Sequence, residues 1–86
     1  MDKKKKEDDA MKVTIKYCQQ WNYLPRASSL GEELEEKLGA QVVLVAGSNG
    51  IFDVAVDDNM VFSKFERGRF PNDDEIINLI RENMRS

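Results

Sequence analysis

The cysteine and the tryptophan of this chain, one of each, lie three residues apart in the segment YCQQWN, residues 17–22. A strand-like alternation ends at this segment, and a helical pattern follows it. A turn from a strand into a helix lies at the positive end of the helix dipole, where unpaired backbone N–H groups favour an anion. A thiol placed there tends to ionise, and the thiolate is the nucleophile. Cys18 is therefore the candidate reactive group.

The absence of histidine excludes several kinds of site. The 86 residues contain no histidine, so neither a Ser-His-Asp nor a Cys-His arrangement can form, nor a histidine-containing zinc site. One cysteine excludes an internal disulfide framework and supplies only one soft metal ligand. Asp53, Asp57 and Asp58 lack the spacing of a calcium loop. We predict no metal site and no bound cofactor.

Composition indicates one globular domain. Apolar residues make up 41% of the chain and charged residues 34%, as in ordinary globular domains. The net charge of −3, from 13 basic and 16 acidic side chains, offers no basic excess for nucleic acid. No run is long enough to cross a bilayer, and no apolar secretory segment opens the chain. We expect a cytoplasmic monomer that binds neither nucleic acid nor membrane.

The first ten residues, MDKKKKEDDA, contain four lysines followed by three acids. A segment of this composition has little to bury, and it predicts a disordered charged tail. The alternative is an electrostatic contact with an acidic partner. The folded domain is expected to cover residues 11–86.

The hydrophobic pattern predicts the first strand, helix and second strand. Residues 12–17 alternate between apolar and polar, as in a strand with one wet face. Apolar residues at spacings of three and four from Leu24 to Leu38 predict a helix, which Gly39 ends. Residues 41–46 predict a second strand, parallel to the first because one helix separates them.

The second half of the domain predicts a hairpin and a closing helix. Residues 51–57 and 60–65 are the hairpin strands, joined through residues 57–59. A loop at 66–71 precedes a helix whose start resembles a capping box, with Asn72 and Glu75 three residues apart. The order βαβββα predicts an α/β fold, in detail a two-layer α+β sandwich with a four-stranded mixed sheet and both helices on one face.

Three segments carry a resemblance to a known family: VTIKYCQQWNYLPRA, GIFDVAVDD and VFSKFERGRFP. Together with the closing helix they resemble the selenoprotein W-related family, also called Rdx, over about residues 11–84. In that family a strand ends in Tyr-Cys-x-x-Cys or Tyr-Cys-x-x-selenocysteine. The resemblance implies a thioredoxin-like fold and thiol or selenol redox chemistry linked to glutathione, as a co-substrate, or to client-protein thiols.

The family's redox pair maps onto Cys18 and position 21, where this sequence has Trp21. Three explanations remain open. Trp21 stands in for selenocysteine, whose UGA codon differs from the tryptophan codon by one base; or it is genuine and packs over the helix start; or it recognises a partner in a protein without catalysis. As given, Cys18 has no resolving partner, so turnover would be monothiol. We expect the thiol to be partly exposed, the alternative being a buried, inert cysteine.

Residues near Cys18 are expected to form a shallow rim that binds a substrate or partner. The turn at residues 47–50 could also cradle an anion, but a plain turn fits better, since no helix follows. In a thioredoxin-like fold this turn lies beside the redox turn, so its backbone could pair with an extended substrate such as glutathione. The predicted rim residues are Trp21, Tyr23, Ser48, Asn49 and Gly50, and the neighbouring Gln19 and Gln20 are further candidates for binding a substrate or partner. The alternative function is a non-catalytic thioredoxin-like module that binds a partner through Trp21 and Tyr23.

Overall fold

The computed structural model describes residues 11–72 and 74–85, so the predicted charged tail at residues 1–10 lies outside the described residues. The elements, in chain order, are β1 (Lys12–Cys18), α1 (Leu24–Leu38), β2 (Gln41–Gly47), β3 (Phe52–Val56), β4 (Asn59–Ser63), α2 (Lys64–Arg67) and α3 (Glu75–Arg85). Within these residues no helix is long and apolar enough to cross a membrane.

The four strands form one mixed sheet in the order β2-β1-β3-β4. β1 pairs with β2 in parallel and with β3 antiparallel, and β3 pairs with β4 antiparallel. The parallel pair follows from the intervening helix, as predicted, and the antiparallel pair β3–β4 is the predicted hairpin. Its turn residues Asp57 and Asp58 have φ of 48° and 75°, which a tight two-residue hairpin requires. The predicted four-stranded mixed sheet is confirmed.

Both long helices pack on one face of the sheet, as predicted. The buried core combines residues of β1, β3 and β4 with residues of α1 and α3: Val13, Ile15, Phe52, Val54, Phe62, Ala27, Leu34, Ile76 and Ile80. On the opposite face a shallow groove of about 270 Å³ is lined mainly by polar and small side chains, among them Thr14, Lys16, Asp53 and Ala55. The alternation in β1 therefore separates a covered face from an open one.

α1 has the predicted bounds, with Pro25 in its first turn and Gly39 in the left-handed conformation after it. Its sheet-facing side includes Gly31, where a Cβ would lie 3.1 Å from Cγ1 of Val42. Leu24 was expected in the buried stripe but is 44% exposed. It is the first helical residue and lies one turn before Ala27, with which the buried part of the stripe begins.

The prediction of a strand up to Phe65 and a loop from Glu66 was wrong. β4 ends at Ser63, whose hydroxyl accepts the backbone N–H of Glu66 at 3.5 Å and so caps the short helix α2. Capping by a serine in extended conformation favours a helical turn over a continued strand. Phe65, which the prediction placed in the strand, is 60% exposed.

The start of α3 is held by Glu75. Its carboxylate accepts the backbone N–H of Asn72 at 2.9 Å, which is one half of the predicted capping box. The Arg69 guanidinium also binds both oxygens, at 2.8 and 2.9 Å. Arg69, with the Asn72 N–H and the nearby Arg67, lowers the pKa of Glu75 from 4.5 to about 2. The carboxylate therefore ties the loop after α2 to the start of α3.

Replacing Glu75 with glutamine should make the free energy of unfolding less dependent on pH at acidic values. Because the folded-state pKa is lowered, the stabilising contribution of Glu75 is complete above pH 4.5 and is lost as the pH falls towards about 2. Urea unfolding between neutral pH and pH 2 should show a lower free energy of unfolding for Glu75→Gln than for the parent protein at neutral pH. The two free energies should converge in acid. Glu82→Gln, an exposed change on α3, is the control. A difference in unfolding free energy that persists unchanged into acid would contradict the lowered pKa of Glu75.

Candidate redox site

Cys18 is the last residue of β1, and hydrogen bonds hold this end of the strand from both sides. The backbone N–H of Cys18 donates to the carbonyl of Ile51 at 2.8 Å, on the β3 side. The N–H of Gln19 donates to the carbonyl of Gly47 at 3.1 Å, at the end of β2. The chain therefore leaves the sheet at a fixed point between two neighbouring strands.

The turn after Cys18 folds back on the cysteine. The backbone N–H of Trp21 lies 3.4 Å from Cys18 Sγ. The Tyr23 N–H donates to the Cys18 carbonyl, and the Asn22 N–H to that of Gln19, both at 3.1 Å. Asn22 has φ of 60°, a conformation that asparagine tolerates better than most residues. The sulfur thus faces the backbone of position 21 just before α1.

The expectation of a partly exposed thiol was wrong. Cys18 is 0% exposed. The side chain is enclosed where the turn folds back and places the Trp21 N–H against the sulfur. A solvent-borne disulfide therefore reaches Sγ only if this turn opens.

Trp21 lies across the turn before β3. A Cβ added at Gly50 would be 2.6 Å from Cζ3 of the indole, so the ring rests on the glycine backbone. Gly50 is buried, whereas Trp21 is 59% exposed. The indole also meets Tyr23 edge-on, with the ring centroids 6.0 Å apart. A genuine Trp21 was expected to pack over the helix start. The indole does contact Tyr23 there, and it also extends to the neighbouring turn at Gly50.

The structure brings together some of the predicted rim residues. Trp21 contacts both Tyr23 and Gly50. Ser48 and Asn49 are exposed in the adjacent turn. That turn is closed by the Ile51 N–H donating to the Ser48 carbonyl at 3.3 Å. Gln19 and Gln20 are exposed, and their side chains make no hydrogen bond to another described residue. The two glutamines therefore remain a prediction.

Sequence reasoning missed Phe70 and the cations around it. The Phe70 ring meets Tyr23 and Phe52 edge-on, with centroids 4.8 and 5.3 Å away. The Arg26 guanidinium lies 4.1 Å from its centroid and the Lys64 ammonium 5.4 Å. A groove of about 300 Å³ opens between this cluster, α1 and α3. Phe70 is 47 residues from Tyr23 in the chain, so no local pattern could predict the contact.

Nothing in the geometry suggests a metal ion. Within residues 11–72 and 74–85, no three histidine, cysteine or carboxylate side chains cluster closely enough to hold one. The chemistry available at the site is that of the Cys18 sulfur and the polar backbone groups around it.

A four-stranded mixed sheet with its helices on one face, and a cysteine at the first strand-to-helix turn, define a thioredoxin-like protein. The profile of the Rdx family matches residues 12–82. The chain therefore belongs to the Rdx family, and the resemblance seen in the sequence is confirmed.

The chain is also similar to two curated proteins of the same name. The chain is 29% identical to migration and invasion enhancer 1 of Bos taurus over 75 residues, which cover 83% of the chain and 63% of that protein. The Mus musculus protein of the same name is 30% identical over 73 residues, covering 80% of the chain and 61% of the mouse protein. The chain thus spans less than two thirds of the length of these relatives.

Two crystal structures have closely similar folds. A protein from Bordetella parapertussis superposes with a TM-score of 0.82 at 27% identity, covering 86% of this chain and 98% of its own. A selenoprotein W-related protein from Vibrio cholerae gives a TM-score of 0.75 at 22% identity, covering 86% and 96%. At that identity the second comparison shows the fold alone.

Replacing Gly50 with alanine should destabilise the protein more than the same change at Gly68. Both glycines have left-handed φ, 75° and 73°, where a Cβ costs roughly 1–2 kcal/mol. At Gly50 the added Cβ would lie 2.6 Å from Cζ3 of Trp21, whereas at Gly68 it would have no neighbour within 4 Å. Overpacking adds roughly 1 kcal/mol or more to the loss of unfolding free energy. Urea unfolding measures both losses.

The fluorescence of Trp21, the one tryptophan, should also shift in Gly50→Ala and not in Gly68→Ala. Combining Gly50→Ala with Trp21→Ala should remove the extra loss, which a double-mutant cycle followed by circular dichroism would show. Equal losses at the two glycines, with unchanged emission, would mean that the indole does not rest on Gly50.

Proposed function

We propose that this protein is a cytoplasmic thiol redox protein in which Cys18 exchanges disulfides with glutathione or client-protein thiols. The observation that carries the proposal is the position of Cys18 Sγ, 3.4 Å from the backbone N–H of Trp21 at the start of α1. The contact places the sulfur against position 21, where the resemblance puts the family's second redox residue. Membership of the Rdx family supports the same chemistry. The protein acts as a monomer and needs no bound cofactor.

With tryptophan at position 21 the exchange is monothiol. The Cys18 thiolate attacks one sulfur of glutathione disulfide, the S–S bond breaks, and a Cys18–glutathione disulfide forms. The departing glutathione thiolate takes up the proton that Cys18 gave to solvent. A second glutathione then attacks the glutathione sulfur of the mixed disulfide, which regenerates Cys18 and glutathione disulfide. A client disulfide can replace glutathione disulfide in the first step, or a client thiol can replace the attacking glutathione in the second, so that a disulfide equivalent passes between glutathione and the client.

Burial of the thiol sets the rate of this exchange. Because Cys18 is 0% exposed, a disulfide must wait for a local opening, and the rate is reduced by the fraction of molecules that are open. The contact of Trp21 with Gly50 is the outermost element of this closure, since the indole itself is 59% exposed. The side chain at position 21 therefore controls access to the neighbouring sulfur.

Removing the indole should speed glutathionylation of Cys18. We expect the Trp21→Ala variant to form the mixed disulfide with glutathione disulfide about tenfold faster, which corresponds to roughly 1.4 kcal/mol of opening free energy. Intact mass after acid quenching measures the reaction. Leu24→Ala, which removes another exposed apolar side chain close by in the sequence, is the matched control and should react like the parent. Cys18→Ser should not react. Equal rates in Trp21→Ala and the parent would contradict control by Trp21, and no mixed disulfide in either would overturn the monothiol proposal.

The second redox position is tested by Trp21→Cys. Since the backbone of position 21 already lies against Cys18 Sγ, we expect the two thiols to close a reversible disulfide in a glutathione redox buffer. Mass spectrometry after alkylation would show the loss of two hydrogens and two blocked alkylation sites. Leu24→Cys, six residues from Cys18, is the control and should remain alkylated at both sites. Failure of Trp21→Cys to close would remove the geometric basis for a family-type redox pair.

One observation favours the alternative of a non-catalytic interaction module. Trp21 and Leu24 are 59% and 44% exposed close to an enclosed thiol, and exposed tryptophans commonly anchor protein interfaces. The two functions differ in their need for sulfur. A Cys18 that stays unmodified by glutathione disulfide, even in Trp21→Ala, would favour the binding module.

A further inference from the structure

The outer edge of β2 is unpaired within residues 11–72 and 74–85. β2 is the first strand in the sheet order, and β1 is its one partner among the described strands. Its seven residues, QVVLVAG, include no charge and no proline, and its pairing with β1 runs in register over all seven. Natural proteins usually blunt such edges with charges, prolines or bulges. β4, at the other edge, has a register shift opposite Val54 and Ala55 and continues into α2.

The direction of the backbone groups of β2 follows from its bonds to β1. The Gln41 N–H donates to the Met11 carbonyl, and the Gly47 carbonyl accepts the Gln19 N–H. In a parallel pair alternate residues point towards the neighbour. The N–H and C=O groups of Val42, Leu44 and Ala46 therefore point outward, and no described residue pairs with them. Three donors and three acceptors remain for one more strand.

The side of α1 next to this edge is acidic. Gly31 faces Val42 and Leu44 of β2. Leu30 and Glu33 line the groove towards α3. With about 100° of rotation per residue, Glu32 and Glu35 fall on the opposite flank, above the free edge of β2. Both are exposed, and neither forms an ion pair with a described residue.

From these features we infer that the β2 edge binds an extended, basic segment of a partner protein as a fifth strand of the sheet. Backbone pairing provides the affinity in this mode, and alternate side chains provide the specificity. In antiparallel pairing, partner residues opposite Val42, Leu44 and Ala46 share the α1 face of the sheet. A lysine or arginine opposite Val42 would lie near Glu32 and Glu35.

The same charges disfavour a second copy of this chain. Two β2 edges paired around a two-fold axis would bring α1 of each copy to the same face, with Glu32 and Glu35 approaching their equivalents. Like charges brought together in this way oppose association. The chain is also acidic overall, with a net charge of −3. Glu32 and Glu35 therefore attract a basic partner and repel a second copy of the chain.

The probe is the acetylated, amidated heptapeptide TVTVTKT, whose lysine lies opposite Val42 in antiparallel register. Titrated at millimolar concentration into the 15N-labelled full chain, it should shift the amide signals of Val42, Leu44 and Ala46 more than those of β4. The analogue TVTVTET should bind about tenfold more weakly, because its carboxylate meets Glu32 and Glu35. N-methylation of the two valines, whose N–H groups face β2, should abolish binding. The same modification at the third and fifth residues, whose N–H groups face away, should leave it intact.

A charge-reversed protein tests the acidic flank. Glu32→Lys combined with Glu35→Lys should reverse the preference in favour of TVTVTET. The control combines Glu66→Lys with Glu82→Lys, which changes the net charge equally at exposed residues of α2 and α3, and should keep the preference for lysine. The readout does not depend on Cys18, so a failed redox proposal would leave this result unaffected.

Three outcomes would overturn the proposal: no shift in β2, equal binding of the two N-methylated peptides, or the same preference in the two charge variants. A dimer of the unliganded chain in sedimentation, broken by Val43→Lys on β2 and not by Met60→Lys on β4, would assign the edge to a second copy instead.

Discussion

The hydrogen bonds at the end of β1 are the constraint on which the site depends. The Cys18 N–H is bound to β3 through Ile51, and the next N–H is bound to β2 through Gly47. A strand held on both sides has one direction in which to leave the sheet, and here it turns directly into α1. The cysteine is thereby fixed at the end of a central strand, just before the first turn of α1. Backbone pairing establishes this position, so it does not require any particular side chain at position 21.

In the proposed exchange, the identity of residue 21 instead determines whether the sulfur is accessible. A small nucleophile at this position would lie beside Cys18 and leave Gly50 uncovered. The indole spans the gap to Gly50, and the absence of a Cβ there lets the ring approach the backbone. In that proposal the indole is a cover at the position where the family has a redox partner, while the strand, turn and helix that present Cys18 remain. The fold is compatible with either residue, which is why the fold alone does not define the chemistry.

Local patterns in the sequence predicted the elements that have local causes. The bounds of α1 follow from its apolar spacing together with Pro25 and Gly39, and the parallel pair β1–β2 follows from the helix between them. The cap formed by Ser63 went unnoticed because the apolar residues up to Phe65 also fit a strand. Burial of Cys18 and the packing of Phe70 on Tyr23 depend on residues distant in sequence. Such contacts appear only once the sheet order is known, and the candidate site was therefore predicted in position but not in exposure.

The β2 edge and the redox turn are adjacent yet separable. Gly47, which ends β2, pairs with Cys18, so a strand added to β2 would end about two strand spacings, roughly 10 Å, from β1. A client held there could present a neighbouring loop to the Cys18 turn without occupying it. Trp21 rests on Gly50, in the turn between β2 and β3, and not on the outward-pointing backbone groups of β2. In the two proposals taken together, a partner strand on the outer edge of β2 raises the local concentration of a client thiol without occupying the Trp21–Gly50 contact.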